Sequence, residues 1–162
     1  MPTSKTAKAP ETTPAKGGRK LSNFLCFAIY SANLAFGRAY KPLLDKLGLT
    51  YTQYVTLVAL SEEDEQTVSM LGEKLFLESN TLTPILKKLE ADGYLQRRRD
   101  PADERQVRLT LTPAGRELVD AEPGSALIEA TGLGDDFPVV QQSVSKLRDS
   151  LLRSTQSESR KA

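Results

Sequence analysis

One cysteine is the side chain of this sequence best suited to redox chemistry. Cys26 is the only cysteine in 162 residues and stands in the apolar stretch Leu21-Ser-Asn-Phe-Leu-Cys-Phe-Ala-Ile-Tyr30. A lone cysteine commonly fills space in a core. A thiolate is also the nucleophile that attacks a peroxide, so both interpretations stay open.

The composition excludes several classes of enzyme. The absence of histidine removes Ser-His and Cys-His dyads, histidine-based zinc sites and an imidazole general base. A single cysteine excludes an internal disulfide and a multi-cysteine metal centre. We therefore expect no metal, no cofactor and no enzymatic activity. No apolar run is long enough to span a membrane and no secretory signal is visible, so the sequence predicts a cytoplasmic protein.

Charge is distributed unevenly around a net value of +1. Residues 1–20 carry five Lys/Arg against one acid, residues 141–162 five against two, and residues 21–140 twelve against eighteen. Any nucleic-acid site must therefore be local. Residues 1–18 lack apolar periodicity, so we expect a disordered basic arm there and a disordered tail at 156–162.

Start and stop signals divide the remaining chain into helices and a hairpin. A long helix within residues 19–49 is stopped by Gly48, and Thr50-Tyr-Thr-Gln53 fits a capping box for the next helix. Residues 50–112 follow the order of a winged helix-turn-helix, and residues 113–155 supply further helices. The expected fold is mainly α with a small β-hairpin, flanked by N- and C-terminal dimerisation helices. Further caps and stops are expected at Thr67, Gly93 and Thr112-Pro113.

The second helix of this module has an apolar stripe and a polar face. Because proline is harmless only in a first turn, Pro84 indicates that the regular helix begins near Asn80 or Thr81. The inward stripe consists of Leu82, Ile85, Leu86 and Leu89. The side chains expected to contact DNA are Asn80, Thr83, Pro84 and Lys87, with Ser79, Thr81 and Lys88 at the margins.

A basic hairpin follows, with strands over 94–99 and 106–111 around a tip at 100–105. It carries five arginines: Arg97, Arg98, Arg99, Arg105 and Arg108. Arg97, Arg99 and Arg105 are predicted DNA contacts, since an arginine at a wing tip suits a narrow minor groove. Taken singly, a Ser/Asn/Thr cluster is usually a helix cap and an arginine-rich hairpin a solvated surface. Their succession at this spacing favours DNA binding.

The C-terminal region ends in one amphipathic helix. Residues 136–155 place Val140, Val144, Leu147 and Leu151 at spacings of 4, 3 and 4, a narrow seam suited to a partner helix. Packing within the same chain is the alternative. The segment 122–135 has no clear pattern and stays unassigned.

Two segments resemble the MarR family of dimeric repressors: Leu75-Phe-Leu-Glu-Ser-Asn-Thr-Leu-Thr-Pro-Ile-Leu-Lys-Lys-Leu-Glu90 and Asp103-Glu-Arg-Gln-Val-Arg-Leu-Thr-Leu-Thr112. Three more resemble its organic hydroperoxide sensor branch, OhrR: Asn23-Phe-Leu-Cys-Phe-Ala-Ile-Tyr30, Tyr40-Lys-Pro-Leu-Leu-Asp-Lys-Leu47 and Leu49-Thr-Tyr-Thr-Gln-Tyr54. The resemblance covers residues 20–121 well and the last helix loosely.

The resemblance implies a homodimer on a pseudo-palindromic DNA operator, with Cys26 as a sensor of organic hydroperoxides. It implies that Tyr40 and Tyr51, which follow Cys26 at +14 and +25 and so lie beyond side-chain contact within one helix, come from the opposite subunit and hydrogen-bond the sulfur. Amphipathic packing is the alternative for each tyrosine. Some members form a disulfide with a second cysteine, which is absent here from the corresponding region 124–133. The resemblance therefore points to the one-cysteine type, which needs an external small thiol. A repressor that answers a small lipophilic or phenolic ligand, with Cys26 inert, is an alternative, and a thiol peroxidase is a third.

Overall fold

A short 3-10 turn and helix α1 are the first elements that the structure describes. The computed structural model describes residues 20–122 and 125–159, so the arm predicted at 1–18 lies outside the described residues. Contacts divide the chain into two units, Met1–Phe36 and Gly37–Ala162. The first unit holds a 3-10 turn at Leu21–Asn23 and the start of α1, which runs over Leu25–Leu47. Its exposed apolar side chains are Phe24, Leu25, Ile29, Tyr30, Leu34 and Phe36.

The second unit contains a winged helix-turn-helix, as predicted. Its helices are α2 (Tyr51–Glu62), α3 (Val68–Leu75), α4 (Ser79–Ala91) and α5 (Pro113–Asp120), and its strands are β1 (Gln66–Thr67), β2 (Leu95–Arg99) and β3 (Val107–Leu111). A single apolar core joins these elements. Its fully buried leucines include Leu57, Leu60, Leu71, Leu82, Leu86, Leu89, Leu95 and Leu109.

Local hydrogen bonds and backbone angles confirm the predicted helix caps and glycine stops. The Gln53 N–H donates to Thr50 Oγ1 at 3.3 Å and the Thr50 N–H donates to Gln53 Oε1 at 2.8 Å, which completes the capping box. Thr67 and Thr112 cap α3 and α5 in the same way, by accepting one backbone N–H each. Helix stops at Gly48 and Gly93 have φ of +67° and +81°, in the left-handed region that glycine adopts without strain.

The sheet has one more strand than predicted. Its order is β1-β3-β2, antiparallel throughout, with Leu95 opposite Leu111 and Arg99 opposite Val107. β1 pairs with β3 through Gln66 and Leu109, and is only two residues long. A strand of two residues is too short to show alternating apolar and polar side chains in the sequence. It is recognisable only from its pairing with β3, 43 residues further along the chain.

The start of α4 and the structure of the unassigned segment 122–135 add to or differ from the sequence-based expectation. α4 begins at Ser79, so Pro84 is its sixth residue and lies beyond the first turn. Proline has no N–H, so the carbonyl of Asn80 lacks an i+4 donor; both residues are exposed, which leaves that carbonyl open to solvent. The unassigned segment contains helix α6 (Ser125–Ala130) and a 3-10 turn at Gly134–Asp136.

Helix α7 spans Phe137–Ser159, so it continues past the predicted end at Thr155 into the segment expected to be a disordered tail. Residues 160–162 of that tail lie outside the described residues. Along α7 the predicted seam is only partly covered, since Val140, Val144 and Leu151 are exposed in the single chain. Within residues 20–122 and 125–159, no helix is both long and apolar enough to cross a membrane.

Candidate nucleic-acid interface and cysteine site

A tight turn between α3 and α4 sets the orientation of α4. Phe76 ends α3 in the left-handed conformation, with φ of +57°, and its N–H donates to the carbonyl of Glu73. A Cβ on Gly72 would lie 2.8 Å from the carbonyl oxygen of Leu77, so only glycine fits at this approach. The turn therefore depends on a glycine inside α3 as well as on the left-handed residue that follows.

The outward face of α4 carries all seven side chains predicted to contact DNA. Ser79, Asn80, Thr81, Thr83, Pro84, Lys87 and Lys88 are exposed, while Leu82, Leu86 and Leu89 are buried beneath them. Four of the seven have local partners: the Thr83 hydroxyl donates to the carbonyl of Ser79 at 2.7 Å, the Thr81 hydroxyl donates to Asn80 Oδ1 at 3.3 Å, and Lys88 pairs with Asp92 at 2.5 Å. Lys87 has no ion-pair partner among the described residues, so its ammonium is available to a ligand.

The arginines of the hairpin have different surroundings. Arg97 is half-buried and its guanidinium lies 2.6 Å from the carboxylate of Glu90 on α4. Arg105 is almost fully exposed at the tip and pairs with Asp103 at 3.0 Å. Arg99 is exposed and has no ion-pair partner within the described ranges. Arg99 and Arg105 are thus presented to solvent, whereas Arg97 faces the helix.

A buried carboxylate holds the base of the wing tip. Asp100 accepts the N–H of Ala102 at 2.8 Å and the Nε–H of Arg108 at 2.7 Å. Two hydrogen bonds hold the pKa of Asp100 below its usual value: the bond from the Ala102 N–H has the larger effect and the bond from Arg108 the next largest. Arg108 also donates to the carbonyl of Glu65, which ties the tip to the turn between α2 and β1. Arg108 is therefore part of the scaffold of the wing.

Sequence reasoning missed the acidic partners of these arginines. Glu90, Asp100 and Asp103 each bind one arginine, and the pKa of each is lowered by hydrogen bonds from that arginine or from nearby backbone N–H groups. The acids at 100 and 103 are visible in the hairpin tip. The partner of Arg97 is not visible there, because it lies on the preceding helix.

Cys26 is exposed in the single chain. It is the second residue of α1, so it lies in the first turn, where helix N–H groups have no intrahelical acceptor. Phe24 and Leu25 beside it are 42% and 62% exposed. The thiol does not fill a core within the protomer, and it lies on an apolar surface instead.

Tyr40 and Tyr51 are brought together by the turn between α1 and α2. Their ring centroids are 5.0 Å apart in an edge-to-face arrangement, and Tyr54 packs on the other side of Tyr40 at 6.3 Å. Burial, and then the neighbouring Tyr51 and Tyr54, raise the pKa of Tyr40, which keeps its phenol protonated as a donor. Among the described residues, no group of three His, Cys, Asp or Glu is placed to hold a metal ion.

The family of the chain follows from comparison with known proteins. Residues 38–121 match the family described as transcriptional regulator SarA/Rot. This chain belongs to that family of MarR-like winged-helix regulators. The resemblance noted in the sequence is thereby confirmed, and the winged helix-turn-helix is the DNA-binding module of such a regulator.

Individual relatives support this assignment. The organic hydroperoxide resistance transcriptional regulator of Bacillus subtilis is 40% identical over 82% of this chain and 92% of its own length. The regulator TtmR of Methylorubrum extorquens is 53% identical over 62% of this chain, and the match spans about half of TtmR (51%). Structures of AbfR bound to DNA in reduced and overoxidized forms superpose with TM-scores of 0.70 and 0.67, at 38% and 37% identity over 82% of this chain and 94% of theirs.

Proposed function

We propose that this regulator is a homodimeric repressor that senses organic hydroperoxides through oxidation of Cys26 and then releases its operator DNA. The observation that carries the proposal is the exposed thiol in the first turn of α1, in a chain 40% identical to an organic hydroperoxide resistance regulator. A sensor sulfur must be reachable by its oxidant, and Cys26 meets this requirement.

The apolar surface around the thiol supports a lipophilic oxidant. Phe24, Leu25 and Ile29 are exposed close to Cys26 along the chain, so the carbon chain of an organic hydroperoxide gains burial there that hydrogen peroxide does not.

The reaction consumes one hydroperoxide per thiol. The thiolate attacks one oxygen of the O–O bond, the bond breaks, and the alkoxide leaves and takes up a proton to become an alcohol. The sulfenic acid on Cys26 then condenses with an external small thiol, which gives a mixed disulfide and water. The external thiol is required because the chain has no second cysteine.

The tyrosine pair couples this chemistry to the dimer. We assign Tyr40 and Tyr51 of the partner subunit as hydrogen-bond donors to the Cys26 sulfur, on the resemblance to the OhrR branch. Their 5.0 Å edge-to-face packing presents the two phenols as one unit, so a mixed disulfide displaces both together. The exposed apolar side chains of α1 and α7 provide the surface for that dimer.

DNA release then needs only a modest change in geometry. The polar face of α4 enters the major groove, Arg99 and Arg105 lie at the adjacent minor groove, and the two copies of α4 in a dimer sit about one helical turn apart. A destabilisation of the DNA-bound arrangement by about 3 kcal/mol lowers the affinity roughly a hundredfold.

The test is a DNA-binding titration with one equivalent of cumene hydroperoxide, with and without a small thiol, and with intact mass measured on every sample. AbfR has been solved on DNA in an overoxidized form, so each sulfur species must be assayed separately. We expect the mixed disulfide to release DNA. The Cys26→Ser variant should bind DNA normally and ignore the peroxide.

Three results contradict the proposal. If Cys26→Ser releases DNA on peroxide treatment as the wild type does, the sulfur is not the sensor. If neither form responds to peroxide but a phenolic or lipophilic compound releases the DNA, the regulator answers a ligand and Cys26 is inert. Repeated turnover of peroxide by one equivalent of protein would instead indicate a thiol peroxidase.

A further inference from the structure

We propose that Glu90 and Arg97 form a positioning pair that fixes the wing against α4, so that on β2 Arg99 meets DNA and Arg97 is its anchor. The proposal rests on the DNA-binding function proposed above. It changes the role that the sequence predicts for Arg97, and it gives a role to an acidic side chain that the sequence does not single out.

Two hydrogen bonds and one further ion-pair contact join the two residues. Arg97 donates from Nε to Glu90 Oε2 at 2.7 Å, its Nη2 lies 2.6 Å from the same oxygen, and its backbone N–H donates to Glu90 Oε1 at 3.2 Å. Charge-assisted contacts of this kind define an orientation as well as a distance. Since Glu90 is on α4 and Arg97 on β2, the bonds fix one element relative to the other.

The backbone bond matters because β2 is an edge strand. The sheet order β1-β3-β2 gives β2 only one strand neighbour, and the backbone N–H of Arg97 donates to Glu90. The Glu90 carboxylate, on α4, thus accepts the N–H that a neighbouring strand would otherwise accept. The root of the wing is therefore attached to the helix that carries the major-groove side chains.

The register of the sheet places Arg97, the anchor, and Arg99, the DNA contact, in different surroundings. Arg97 lies opposite the fully buried Leu109, whereas Arg99 lies opposite the half-buried Val107, two residues nearer the tip. Two residues of strand correspond to about 7 Å. Arg97 is thus held at the edge of the core, and Arg99, on the same face of the strand, extends beyond it into solvent.

Glu90→Gln has opposite expected effects on DNA affinity, depending on whether Glu90 acts only as a charge or also positions the wing. Replacing Glu90 with glutamine removes one negative charge, which by electrostatics alone strengthens binding to a polyanion. If Glu90 positions the wing, the same change weakens binding, because Arg97 and the strand lose their attachment. Asp92→Asn is the matched control: Asp92 is also at the end of α4 and pairs with a lysine, but that lysine is on the same helix.

The experiment uses the full chain and a duplex selected by the wild-type protein from a random-sequence DNA library. We expect Glu90→Gln and Arg97→Gln each to weaken binding about fivefold, with the double variant no weaker than either single one. Asp92→Asn should bind as well as the wild type or better. Arg97→Lys, which keeps the charge but not the fork geometry, should fall between wild type and Arg97→Gln.

Footprints distinguish positioning from a general loss of structure. Hydroxyl-radical protection at the wing should weaken in Glu90→Gln, while protection of guanine N7 in the major groove persists. The proposal is overturned if Glu90→Gln binds as well as or better than wild type, or if Arg97→Gln adds a further loss on top of Glu90→Gln. If the wild-type protein selects no duplex at all, it is the DNA-binding function that fails.

Discussion

Replacing Gly115 with alanine should destabilise the protein strongly, because α5 approaches the start of the wing without room for a side chain. A Cβ at this position would lie 2.1 Å from the carbonyl oxygen of Tyr94 and 3.1 Å from its carbon. The obstructing atoms are backbone and cannot rotate away. The two segments must therefore separate by about 1 Å to reach an ordinary contact distance.

That separation breaks a small hydrogen-bond network. The Tyr94 carbonyl accepts the N–H of Thr112 at 3.0 Å, and the Thr112 hydroxyl donates to Gly93 at 2.7 Å while accepting the Gly115 N–H at 3.1 Å. Overpacking costs about 1–3 kcal/mol, and a lost hydrogen bond and a weakened cap about 1 kcal/mol each. The better helix propensity of alanine offsets about 1 kcal/mol, so we expect a net loss of about 2–4 kcal/mol.

Gly37→Ala is the matched control for this prediction. Gly37 is exposed within α1, and a Cβ there meets nothing within 4 Å. The same chemical change should therefore stabilise the protein, by up to about 1 kcal/mol. Urea unfolding followed by circular dichroism, at one protein concentration, measures both variants. The reasoning is wrong if Gly115→Ala unfolds within about 0.5 kcal/mol of the wild type, or if the two variants shift in the same direction.

Three further predictions concern the wing, α4 and α3. The pKa of Asp100 is held below its ordinary value of 3.8, so this carboxylate binds a proton less readily in the native state than in the unfolded chain. The stability that Asp100 supplies is therefore complete above pH 3.8 and is lost as the pH falls through the lowered pKa. Urea midpoints measured from about pH 6 to about pH 2 should show this loss, and Asp100→Asn should flatten the curve. Lys87→Ala should reduce the salt slope of DNA binding by about 1, which a plot of log affinity against log salt tests directly. Thr67→Ala removes the acceptor of the Met70 N–H and should lower the unfolding free energy by about 1 kcal/mol; an unchanged urea midpoint would exclude a capping role.

Much of the fold could be predicted because its signals are local. Thr50 and Thr112 cap the helices that follow them through N–H groups three residues away, and Gly93 ends α4 by adopting a positive φ. These interactions depend on neighbours in the sequence and hold wherever the segment lies. Buried Leu82, Leu86 and Leu89 were identified in the same way, since their spacing fixes one face of a helix.

The partners of the functional side chains could not be predicted in this way. Glu90 meets Arg97 only because the chain reverses after α4, and Arg108 meets Asp100 across the hairpin and Glu65 in the turn between α2 and β1. All five arginines look alike in the sequence, although the fold uses some as scaffold and leaves others exposed. Arg97 and Arg108 become scaffold because the fold brings them a carboxylate from α4 and from across the hairpin, whereas Arg105 pairs only with Asp103 at the exposed tip.

The sequence by itself determined the elements and the chemical candidates: the helices and the hairpin, the polar face of α4, and one thiol with two tyrosines. These follow from side-chain type and from contacts within about four residues. Tertiary structure alone decided that β1 joins the sheet, that Tyr40 and Tyr51 pack at 5.0 Å, and that Cys26 lies exposed. The physical reason is that pairing and burial depend on which distant segments the folded chain brings together.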